Sequence, residues 1–77
     1  MKIKVIAFGQ IAEISGKTNW EFEEVKNTKQ LAEILSKEFP ILKNLQYKFA
    51  INQQLIHEHT EFQDNDIVAL LPPFSGG

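Results

Sequence analysis

The chain contains no cysteine, which excludes disulfides and thiolate metal sites. It contains no arginine either. All eight cationic residues are lysines, scattered from Lys2 to Lys48, and the formal net charge is −2. A nucleic-acid surface usually shows a basic stripe, often with arginine, so no nucleic-acid partner is expected. No apolar run approaches the ~18 residues of a membrane span. The opening Met1-Lys2-Ile3-Lys4 leads straight into an alternating segment and lacks a signal-type apolar core. A cytoplasmic protein without membrane contact is therefore expected. There is no phosphate-binding glycine loop. Ser15, Ser36 and Ser75 stand in no nucleophile motif.

What is present is a small, greasy chain. Its 77 residues, 43% hydrophobic and including six Phe, suffice for one domain at most. A domain of this size buries only about 60% of its unfolded surface. With nothing to staple it, the apolar core must hold it alone.

Residues 2–8 alternate before turning apolar, which predicts a strand covered on both faces. Ile3, Val5 and Ala7 share one face; Lys2, Lys4, Ile6 and Phe8 share the other. A connector from Gly9 to Gly16 has room for a short helical turn at Ile11–Ile14. Residues 18–25 carry Trp20 and Phe22 in period two with Glu21 and Glu23, a second strand. Asn27 or Thr28 can cap a helix, with Gln30 placed as in a capping box. Leu31, Ile34, Leu35 and Phe39 give that helix one apolar stripe, and Pro40 ends it. Residues 41–46 read as a loop or irregular turn, 47–51 as a third strand and 55–56 as a short fourth. Gln63-Asp64-Asn65-Asp66 reads as a turn with Asn65 in the left-handed position. Residues 67–71 form the last strand, stopped by Pro72-Pro73.

This order predicts an α+β fold: a mixed sheet of four to five strands with one main helix on one face. The expected organisation is a single domain over 1–77, with 72–77 a flexible C-terminal tail. One helix cannot cover two sheet faces. Ile6, Phe8, Ala69 and Leu71 then form an apolar face with no cover inside the chain, a pattern that marks a partner surface unless it is edge-of-core packing. His57 and His59 with Glu58 and Glu61 make too weak a set for a metal, and none is expected. Asp64 and Asp66 read as turn formers.

The ending Pro72-Pro73-Phe74-Ser75-Gly76-Gly77 carries the clearest chemistry. Two glycines leave the terminal carboxylate sterically bare and free to take any backbone conformation. Six residues reach roughly 20 Å when extended, and the two prolines stiffen the root. Terminal glycines are also found as simple frayed ends. The carboxylate becomes an electrophile only if another protein adenylates it with ATP.

These residues resemble a known family. Val5-Ile6-Ala7-Phe8-Gly9-Gln10 with Glu13 and Gly16, Ala50-Ile51-Asn52-Gln53-Gln54, and the block from Phe62 to Gly77 resemble the small subunit of molybdopterin synthase, the MoaD-like sulfur carriers. The resemblance implies a ubiquitin-like β-grasp fold. It implies that Gly77, with Gly76 before it, is adenylated by a ubiquitin-activating-type enzyme and converted to a thiocarboxylate. No cofactor is bound; ATP is used by the activating partner. Phe8 and Leu71, with Ile6, Ala69, Pro72, Pro73, Phe74 and Ser75, would contact the large synthase subunit in a heterotetramer. That assembly would donate sulfur to a pterin precursor of the molybdenum cofactor. The chain alone would be no catalyst.

Four positions depart from the family pattern: Ala12 at a frequent Arg, Gly9 at a common Ala, Asn65 at a turn Gly, and Phe74 at a smaller aliphatic residue. The alternatives are a sulfur carrier for another pathway, such as thiamine thiazole synthesis, and a ubiquitin-like protein modifier.

Overall fold

The computed structural model describes residues 1–72. Five strands are present: β1 (Lys2–Ala7), β2 (Asn19–Glu23), β3 (Lys48–Ile51), β4 (Gln54–Ile56) and β5 (Ile67–Leu71). They form one mixed sheet in the order β2-β1-β5-β3-β4. β1 and β5 pair in parallel, and the other neighbours are antiparallel. Two α-helices, α1 (Gly9–Ser15) and α2 (Thr28–Glu38), and a 3₁₀ turn at Pro40–Asn44 complete the chain. The α+β expectation is met.

The alternation read in the sequence sets the faces. Ile3, Val5, Val68 and Leu70 are fully buried and pack with Leu31 and Leu35 of α2 in one core cluster. Asn27 caps α2: its Oδ1 accepts from the Gln30 amide at 2.9 Å. The Gln30 side chain in turn accepts from the Lys26 amide at 2.8 Å, one residue earlier than in the usual capping box. The helix stops at Phe39, directly before Pro40.

Two connecting segments carry helical structure. The connector after β1 is a seven-residue helix that buries Ile11 and ends on Gly16 at φ 73°. Such a left-handed end is a glycine position. The 41–46 segment, expected as a loop or irregular turn, begins inside the 3₁₀ turn, whose Leu42 is buried in the core.

The two remaining turns hold the edges in register. Asn52 and Gln53 both have positive φ (50° and 71°), the geometry of a two-residue primed hairpin turn. Asn65 has φ 69°, as expected of that position. Asp66 is buried and spends its carboxylate on the Gln63 amide at 2.8 Å and the Asn52 side chain at 2.9 Å. Asp64 accepts from the Lys2 amide at 2.8 Å. Both acids are turn formers.

Candidate functional site

The face of the sheet turned away from α2 is built from the other phase of each strand. Register places Asn19, Ile6, Ala69, Ala50 and Leu55 in one row across all five strands. Ile67 lies on one side of this row, next to Lys4. Leu71 lies on the other, paired with Lys48. Phe8 follows β1 at the same end, its amide bonded to the Leu70 carbonyl at 3.2 Å. Phe8, Ile67 and Leu55 are 48%, 45% and 41% exposed. Ile6, Ala69 and Leu71 are half-buried. Ala50 is buried but stands outside the core cluster, flanked in its row by Ala69 and Leu55.

Charge is confined to the margins of this surface. Lys2 pairs with Glu21 at 3.3 Å, Lys4 lies opposite Glu21 and Lys2 opposite Glu23. Lys48 closes the opposite end. An apolar centre with a charged rim is the anatomy of a protein-binding surface.

The structure therefore brings together the four sheet residues expected from the sequence: Ile6, Phe8, Ala69 and Leu71. It adds Ala50, Leu55 and Ile67. Ile67 was readable, since it shares the period of Ala69 and Leu71. Ala50 and Leu55 were not. In Tyr47-Lys48-Phe49-Ala50-Ile51 the bulky residues occupy the opposite phase, so composition does not say which face Ala50 takes.

Pro72 is placed differently from a tail residue. It is buried and lies over Gly9, which has φ 54°; a Cβ at Gly9 would sit 3.2 Å from the Pro72 Cγ. The domain thus includes residue 72. Pro73, Phe74, Ser75, Gly76 and Gly77 lie outside the described residues.

A cleft of about 380 Å³ lies at the opposite side of the sheet edge, lined by Thr28, Tyr47, Phe49, His57 and His59 among others. Two of its polar side chains are engaged by neighbouring groups. Thr28 Oγ1 accepts from the Thr60 amide at 3.2 Å, and His59 Nε2 lies 3.0 Å from the exposed Glu61 carboxylate. Among the described residues no three potential ligands converge on a metal position, and no helix is long and apolar enough to cross a membrane.

A five-strand mixed sheet wrapped round α2 in this order is a ubiquitin-like β-grasp domain. The ThiS family model matches residues 5–77, and the chain belongs to that family. Its solved neighbours agree. A protein described as molybdopterin converting factor, subunit 1, from Pyrococcus furiosus superposes with TM-score 0.83 at 23% identity, over 96% of this chain and 99% of that one. A chain from the complex of subunits 1 and 2 of molybdopterin-converting factor from Helicobacter pylori superposes with TM-score 0.76 at 29% identity, covering all of both chains. Small archaeal modifier protein 1 from Methanosarcina acetivorans superposes with TM-score 0.80 at 23% identity, over 99% and 96%.

Proposed function

We propose that the protein is the sulfur-carrying small subunit of a molybdopterin synthase, working through Gly77 as its terminal residue. The observation that carries this reading is continuity. The apolar face ends in Phe8 and Leu71, and the next residue is the root of the Pro72-Pro73-Phe74-Ser75-Gly76-Gly77 segment. A partner seated on the face receives the arm at its margin. The likeness to a subunit solved in complex with its second subunit supports the same partner class.

The chemistry follows from what the chain has and lacks. The Gly77 carboxylate attacks the α-phosphorus of ATP on an activating enzyme and releases pyrophosphate. A sulfur nucleophile at the sulfide level then attacks the acyl carbon, and AMP leaves. The product is a thiocarboxylate, which the large subunit presents to the pterin precursor. Burial of the face anchors the domain. Gly76 and Gly77 add no side chain that a narrow slot must accommodate.

Intact-protein mass spectrometry after incubation with ATP, the activating enzyme of the source cell and a sulfur donor tests this. The expected species has one oxygen replaced by sulfur, and loss of Gly76-Gly77 abolishes it while leaving the circular dichroism spectrum unchanged. Absence of that species under conditions that thiolate a known carrier refutes the reading. A lysine-linked adduct in its place identifies a protein modifier. Transfer of the sulfur to a thiazole precursor, and not to a pterin, identifies a different pathway.

A further inference from the structure

We infer that Gly9 is a positioning residue for the C-terminal arm, its missing side chain forming the seat in which Pro72 is held; this rests on the carrier reading above. Register ends with Ala7 opposite Leu70 and the Phe8 amide on the Leu70 carbonyl. Two steps further along each strand bring Gly9 to Pro72. Gly9 takes φ 54°, and a Cβ there would lie 3.2 Å from the Pro72 Cγ, closer than ordinary packing, so the ring would have to shift. Pro72 is buried although it lies past the end of β5.

A held Pro72 controls more than itself. Its ring fixes its own φ. Pro73 forces residue 72 into the extended region, and the second ring fixes φ again at 73. The orientation imposed at residue 72 is thus passed through two residues without a free rotation about φ. The seat therefore biases the direction in which the arm leaves the domain, separately from how tightly the face binds.

Gly9→Ala fills the seat, and a control for its backbone strain exists within the same chain. Gly16 has φ 73° and nothing within 4 Å of its would-be Cβ. Gly16→Ala thus imposes comparable left-handed strain without touching Pro72. With the activating enzyme and ATP, Gly9→Ala is expected to lower kcat for adenylation about tenfold with KM for the carrier unchanged. Gly16→Ala should leave both as in wild type at temperatures where all variants are folded. Pro72→Ala should lower kcat similarly, and the double variant should be no worse than either single one. Equal kcat for Gly9→Ala and Gly16→Ala overturns the proposal while leaving the carrier reading intact.

A second measurement needs no partner. The chain has no cysteine, so a nitroxide on Ser75→Cys is a unique label. The set of amides it broadens should shift in Gly9→Ala and stay as in wild type in Gly16→Ala. Identical patterns in all three overturn the seat even if the wild-type protein proves never to be adenylated.

Discussion

Phe8 offers the sharpest test of the apolar face, because its geometry separates binding from folding. The residue is 48% exposed and stands past the end of β1, outside the core cluster. A Phe side chain of about 200 Å² at that exposure leaves about 100 Å² of apolar surface for a partner to cover. At about 25 cal/mol per Å², covering it contributes about 2.5 kcal/mol, which is roughly 60-fold in Kd. Phe8→Ala is therefore expected to weaken the large-subunit complex by that factor, measured by titration calorimetry. Phe8→Asp, which adds desolvation of a charge, should weaken it further. A urea melt of the free domain should shift by no more than about 0.5 kcal/mol, as for a surface substitution. An affinity within twofold of wild type, with the melt unchanged, would show that the partner does not use this face.

Three further outcomes concern the fold itself. Leu31 is fully buried, and Leu31→Ala should cost about 2–5 kcal/mol. Set against about 4–12 kcal/mol in total for a chain of this length, this removes a large share of the stability and is readable as a lower urea midpoint. Gln53 holds φ 71° in a turn that prefers Asn-Gly. Gln53→Gly should stabilise by about 0.5–1 kcal/mol, the relieved strain outweighing glycine's entropy. Burial raises the Tyr47 pKa above its ordinary value. The folded state then holds the phenolic proton more tightly than the unfolded chain. Its contribution is present below about pH 10 and lost as pH rises through the folded value. Tyr47→Phe should flatten that alkaline loss in melts between about pH 9 and 11; an unchanged slope would assign the loss to another group.

Much of this architecture was legible before any coordinates, where a local rule had no competitor. Alternation in Lys2–Phe8 and Ile67–Leu71 revealed which side chains share a face, since a strand's period leaves only two choices. Asn27 with Gln30, Pro40 and Asn65 marked the helix start, its stop and the last turn through their own backbone chemistry. What stayed hidden depends on partners far along the chain. Ala50 faces outward because β3 joins β5 in a particular register. The close approach of Gly9 to Pro72 joins two positions far apart in sequence. Glu24 and Gln53 adopt positive φ (64° and 71°) although neither residue type favours it. Tertiary pairing overrides local preference at those two turns.

The strand that leads into the arm, β5, lies in the middle of the sheet, with β1 on one side and β3 on the other. Tension applied at residue 72 along the strand is carried as shear by two ladders at once, so many bonds must fail together. An edge strand would instead peel away one bond at a time. A partner can therefore tug hard on the arm, or thread it through a tight opening, and the small body behind it will follow intact.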